Sequence, residues 1–218
     1  LAPPDESLLL ENLDDLPSPF AAGLVDLSRG FVYYETSRGC PYSCSFCSVH
    51  AVHGHKFRAR SPGHVLDEIE VLVRKYQIRD LYIEDDNFSL KRQRVEEICH
   101  GIIGRGWKLR IFFRNGLRAD TLDRRLLKLM RRAGTAKIWL APESGSRRIR
   151  EEVIGKKLER KIRNIAGLSP MPNQSMARGI QASGDIGRKK LIMGLRKRLI
   201  IRLLPRMIPS GMPRRVAR

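Results

Sequence analysis

The chain has no run of about 18 apolar residues long enough to cross a bilayer as a helix, and no secretory leader precedes its first polar stretch. Cysteine is scarce, four in 218 residues, and three of them crowd into the stretch from Cys40 to Cys47. That distribution excludes a disulfide scaffold and suits a reducing compartment, so a cytoplasmic location is expected. Phe, Tyr and Trp are missing from residues 160–218, where a single acid, Asp185, faces 15 Lys and Arg. Most of the net charge of +19 therefore belongs to the tail, while the preceding 159 residues hold 27 basic and 22 acidic groups, a balance ordinary for an enzyme.

Residues 1–30 are acidic and rich in X-Pro steps, which disfavour helix; they read as a linker or extended lead-in, and as the continuation of a domain upstream. From Phe31 the pattern changes to strand and helix in alternation. Phe31-Val32-Tyr33-Tyr34 is β-rich. Ser61-Pro62 opens a helix with a capping Ser and a Pro in the first turn, and Val65, Ile69, Leu72, Val73 and Tyr76 share one face. Leu81-Tyr82-Ile83 is a buried strand ending in Glu84-Asp85-Asp86-Asn87. A helix follows over 91–104, then a strand over 109–113 with Arg114-Asn115-Gly116 as its exit turn. The pattern continues with a helix over 120–133 stopped by Gly134, a strand over 138–140, and a helical start at 147–154. About four strand–helix units at this spacing imply an α/β fold with parallel strands and right-handed crossovers. Each strand exit carries polar residues, which in a barrel would share one face; a doubly wound sheet satisfies the same periodicity.

The spacing Cys40-x3-Cys44-x2-Cys47 calls for a metal. Three thiolates can hold three irons of a [4Fe–4S] cluster and leave the fourth open to a substrate. Zinc closes its structural sites with four ligands, and His50 would complete such a set. The other histidines around the loop, His53, His55 and His64, read as loop or surface residues. Trp107 and Trp139 read as core.

The segment Cys40-Pro41-Tyr42-Ser43-Cys44-Ser45-Phe46-Cys47 resembles the signature of the radical S-adenosylmethionine enzymes. Tyr34–Gly39, His55–Pro62, Ile83–Phe88, Asn115–Asp120 and Pro142–Ser146 follow in order and are similar to the subgroup often fused to a cobalamin-binding domain. The resemblance spans roughly residues 13–158. It implies an incomplete (β/α)6 partial TIM barrel over 31–158, with Cys40, Cys44 and Cys47 as cluster ligands in the loop after the first strand. It also implies that the open iron chelates S-adenosyl-L-methionine, which one electron cleaves to methionine and a 5′-deoxyadenosyl radical. Phe46 then matches an aromatic position near the adenine, and Glu84, Asp85, Asp86 and Asn87 the exit that binds the methionyl ammonium. Glu143 and Ser144 match a further cofactor-facing exit. Read without the resemblance, Asp85-Asp86-Asn87 is an Asx turn and helix cap, and Glu143-Ser144 a helix start.

The implied partners are an unidentified small-molecule or lipid-like substrate and an electron donor such as flavodoxin or ferredoxin. Cobalamin would belong to a longer parent protein. The barrel's last two strand–helix units are not recognisable in residues 159–218, and a frame-shifted end to a truncated gene is the preferred reading of that basic tail. Two others stand beside it: a nucleic-acid-binding segment, disfavoured because no aromatics interleave for base stacking, and a cationic membrane-surface helix over Leu191–Ile208. With the barrel incomplete, the 218-residue chain alone is expected to be unstable or inactive. The alternative to an enzyme is a zinc- or iron-binding module with a basic nucleic-acid-binding tail.

Overall fold

The computed structural model describes residues 4–156 and the backbone of 199–202. Strand β1 (Phe31–Tyr34) leads into β2 (Ser37–Arg38), the cysteine loop, and the short helix α1 (Val49–His53). Strand β3 (Arg58–Ala59) returns to pair antiparallel with β2, so a small two-stranded ribbon brackets the loop. Helix α2 (Pro62–Arg74), strand β4 (Asp80–Ile83), helix α3 (Arg92–Gly104), strand β5 (Arg110–Leu117), helix α4 (Arg124–Arg132) and strand β6 (Thr135–Leu140) complete the alternation. Pairing runs β1–β4–β5–β6, all parallel and in sequence order. The expected α/β architecture with four strand–helix units is thus present, and the sheet is open among the described residues. A further strand, β7 (Leu199–Arg202), pairs antiparallel with β6. The helical reading of Leu191–Ile208 fails across those four residues, whose backbone is extended. The rest of the basic tail lies outside the described residues.

Side chains alternate across each strand. Val32, Tyr34, Leu81, Ile83, Ile111, Phe113, Ile138 and Leu140 face the helices and are buried with Leu72, Val95 and Leu126. The opposite face carries Phe31, Tyr33, Tyr82 and Phe112 in mutual ring contact, with Tyr82 stacked on Phe112 at 4.7 Å between centroids. Trp139, expected in the core, lies half-buried on this second face, with Lys137 Nζ 4.3 Å from its ring centroid.

Three local expectations are corrected. Arg114-Asn115-Gly116 is not an exit turn but part of β5, which keeps its pairing through register shifts between Phe113 and Leu117. The third helix starts at Arg124, capped by Asp123 accepting from the Leu126 N–H, because Asp120 is engaged in a two-pronged pair with Arg118. The start at 147–154 is a single π-helical turn, Ile149–Val153.

The acidic lead-in is packed rather than free. Leu13, Phe20 and Leu27 are buried. The Phe20 ring meets Tyr34 edge-on at 5.4 Å, and its carbonyl accepts from Tyr76 Oη at 3.0 Å. Arg60 donates to the Leu13 and Leu16 carbonyls, and Arg58 to that of Leu10. These two arginines, open from sequence to a phosphate-orienting reading, are spent on tying the lead-in to the ribbon. Phe20→Ala is expected to cost about 3–5 kcal/mol in a urea melt, whereas a free linker would tolerate it without change.

Candidate functional site

The cysteine loop is built from the β4 exit. The Asp85 carboxylate is buried and accepts from the Thr36 N–H at 2.6 Å, Thr36 Oγ1 at 2.6 Å and Ser37 Oγ at 2.5 Å. Asp86 Oδ2 accepts from the Gly39 N–H at 2.8 Å and lies 2.6 Å from His53 Nδ1 at the end of α1. Asn87 Nδ2 reaches Cys40 Sγ at 3.7 Å. Three consecutive side chains therefore grip successive points of the loop. A buried carboxylate that accepts several hydrogen bonds is strongly oriented, and Arg94 of α3 adds its charge: its guanidinium donates to the Arg60 and Thr36 carbonyls and to Thr36 Oγ1. Burial nonetheless raises the Asp85 pKa, against Arg94 and the Ser37 and Thr36 hydrogen bonds. Gly39 has φ +81°, and a Cβ there would run into the Lys56 carbonyl, so only glycine allows β2 to turn into the cysteines.

Asp85 and Asp86, expected to contact the cofactor, are thus turned onto the loop, with both Asp85 oxygens taken by Thr36 and Ser37. Glu84 is the carboxylate left facing the open side of the sheet. Its Oε1 is buried without a hydrogen bond and 3.4 Å from Arg114 Nη1. Burial raises its pKa, Arg114 opposing and Glu35 adding to the rise.

Cys40, Cys44 and Cys47 are free thiols, each part-exposed. Burial pushes the Cys40 thiol up, while the Tyr42 N–H and the Asn87 amide favour its thiolate. Phe46 is 59% exposed beside them. Arg118, within the sequence stretch Asn115–Asp120 but unassigned from sequence, lies over the Tyr42 ring at 3.5 Å, where its charge acts on Cys40 and Cys44. Nothing in the spacing of residues marked His53, Arg94 or Thr36 as supports of the loop. Their roles follow from tertiary contacts across 33 to 58 residues.

The β6 exit closes over the loop from the other side. Ser45 donates through its N–H to the Ile154 carbonyl at 3.0 Å and through Oγ to that of Val153 at 2.9 Å. Glu143 has φ +64°, a strained conformation for a residue with a Cβ. Its carboxylate is held by the buried Lys156, whose Nζ also donates to the Ala141 carbonyl at 2.6 Å. Ser144 Oγ accepts from the Ser146 N–H and shapes the turn.

A donor set of three thiols on one short loop, with amide, guanidinium and backbone donors around the sulfurs, fits an iron–sulfur cluster, which takes each thiolate on a separate iron. It fits zinc less well. His50, the expected fourth zinc ligand, is instead stacked on His55 at 3.7 Å between ring centroids.

Residues 34–169 match the radical SAM superfamily, and the chain belongs to it. It is 32% identical over 154 residues to an uncharacterised methyltransferase of Pyrococcus horikoshii, covering 68% of this chain and 33% of that protein. It is 37% identical over 102 residues to the cobalamin-dependent radical SAM methyltransferase TokK of Streptomyces tokunonensis, covering 43% of this chain and 15% of that one. Among solved structures it resembles the cobalamin-dependent S-adenosylmethionine radical enzyme OxsB with aqua-cobalamin and S-adenosylmethionine bound: TM-score 0.51, 27% identity, 61% of this chain and 21% of that one. The chain thus spans a third or less of the length of these relatives.

Asp85→Ala is expected to cost about 3–5 kcal/mol, since it leaves Arg94 buried without its counter-charge, and to open residues 36–48 to limited proteolysis. A melt and a digest like those of the unmutated chain would contradict the clamp. Cys99 is buried in α3 with its thiol pushed up to about 12 by burial. Iodoacetamide at pH 8 is expected to alkylate the loop cysteines of the cluster-free native chain and Cys99 only in denaturant; equal rates for all four would refute that burial.

Proposed function

We propose that the chain is the cluster-bearing part of a radical S-adenosylmethionine enzyme that functionalises or methylates a C–H bond of a small-molecule or lipid-like substrate. The single observation that carries this reading is the loop itself: three free thiols in the family's spacing, held at residues 36, 37, 39 and 40 by the β4 exit. Cys40, Cys44 and Cys47 would hold a [4Fe–4S] cluster, which supplies the electron that breaks the sulfonium C–S bond of S-adenosylmethionine. The chain's own residues bind and orient. Glu84 offers a partly desolvated carboxylate to the methionyl ammonium, a pairing whose strength grows with the exclusion of water. Phe46 presents a ring for the adenine, and the strained Glu143-Ser144 turn walls the β6 side. Asp85 and Asp86 hold the loop.

Other parts of the reading rest on the wider resemblance. A low-potential protein such as flavodoxin or ferredoxin would deliver the electron, and cobalamin would be held by a further domain of a longer protein, with residues 1–30 leading from it. No helix among the described residues is long and apolar enough to cross a membrane, and we place the protein in the cytoplasm on its cysteine usage.

Anaerobic reconstitution with iron and sulfide tests the reading. About four irons per chain are expected, with a broad visible band that dithionite bleaches and that Cys44→Ala abolishes. Stoichiometric zinc with no uptake of iron would overturn it.

A further inference from the structure

Asn87 is among the most deeply buried polar residues of the domain, 2% exposed. Burying an amide without partners is costly, and such groups are rarely kept without a reason. Asn87 has little else to satisfy it. Its Oδ1 is buried and unpartnered, and the hydrogen bond its side chain makes among the described residues is from Nδ2 to Cys40 Sγ, at 3.7 Å. The backbone around it is rigid: the Asn87 carbonyl accepts from the Leu90 N–H, Phe88 packs on Phe113 at 4.8 Å, and Ser89 Oγ meets Thr121 Oγ1 at 2.6 Å. An apolar residue of similar size would fill the space at lower cost if packing were the only demand.

We infer that Asn87 sets the reduction potential of the cluster through its amide hydrogen bond to the Cys40 thiolate. The inference rests on the cluster reading above. A thiolate has no proton to give, so the amide must present its nitrogen, and a donor to a charged sulfur is a charge-assisted bond. Hydrogen bonds to cluster sulfurs are among the factors that set the potential. Reduction adds one electron and makes the thiolates more electron-rich, so the N–H···S bond strengthens in the reduced state and raises the potential. No bond to iron or sulfur is made or broken, and the amide keeps its proton. Asp85 and Asp86 act on the loop's backbone and hydroxyls, whereas Asn87 reaches a ligand atom. Asn87 is therefore a positioning and tuning residue and not a catalytic one.

The test is an anaerobic redox titration of the reconstituted full chain, with iron content measured on the same samples and dithionite as the electron source. Asn87→Leu removes the donor at similar volume. It is expected to bind the same iron per chain as the unmutated protein and to be about tenfold harder to reduce, a fall of about 59 mV for a one-electron couple. Asn87→Gln, which keeps an amide donor, is expected to recover part of that shift. Variants with full iron content and an unchanged potential would overturn the inference and leave the cluster reading intact. Variants that lose iron would also overturn it, since they would show a role in holding the loop alone. Failure of every chain, the unmutated one included, to take up iron would sink the cluster reading itself.

Discussion

The structure turns on a buried carboxylate. Asp85 accepts three hydrogen bonds from Thr36 and Ser37 with Arg94 close behind it, and this fixes where β1 ends and the cysteine loop begins. Without such an anchor the loop would be a surface excursion with three thiols in arbitrary positions. With it, the loop is tied to the neighbouring strand of the sheet at the point where parallel β1 and β4 both terminate. Desolvating a carboxylate is expensive unless its hydrogen bonds and counter-charge are in place, so the arrangement is close to all-or-none. The loop is formed when the sheet is formed.

The remaining contacts extend this principle outward. Asp86 joins the Gly39 amide to His53, so α1 and the loop are tied to one carboxylate. The β2–β3 ribbon and the docked lead-in seal the outer side through Arg58 and Arg60. Ser45 is hydrogen-bonded to the π-helical turn after β6, which brings the first and fourth strand exits together over the same loop. Chemistry that must be kept from solvent needs walls of this kind. Glu84, whose Oε1 is buried without a hydrogen bond and 3.4 Å from Arg114 Nη1, is the carboxylate on the open side of the sheet.

Much of this was legible in the sequence. The strand–helix alternation, the Ser61 cap, the apolar face of α2 and the cysteine spacing are local signals, and each is seen in the fold. The direction in which a polar side chain points is not local. Glu84-Asp85-Asp86-Asn87 reads the same whether its carboxylates meet a cofactor or grip a loop 47 to 49 residues away in sequence, and only tertiary structure separates the two. The bulge that carries β5 through Arg114-Asn115-Gly116 was hidden because turn residues and bulge residues are the same kinds. The start of α4 is not legible in the sequence, because Asp120 and Asp123 are equal candidates for a cap until Arg118 claims the first. The lead-in reads as a linker because Pro17, Pro19 and the turn residues around them mask the apolar residues that are buried, Leu13, Phe20 and Leu27.

The central claim is that a loop held by the β4 exit presents three thiolates to a cluster with one iron left open for S-adenosylmethionine. Electron paramagnetic resonance of the reconstituted, dithionite-reduced chain, recorded before and after adding S-adenosylmethionine, tests it most directly. The account predicts a spin-one-half signal of a reduced four-iron cluster whose shape changes when S-adenosylmethionine binds. A signal indifferent to S-adenosylmethionine, or no signal from an iron-loaded chain, would contradict it.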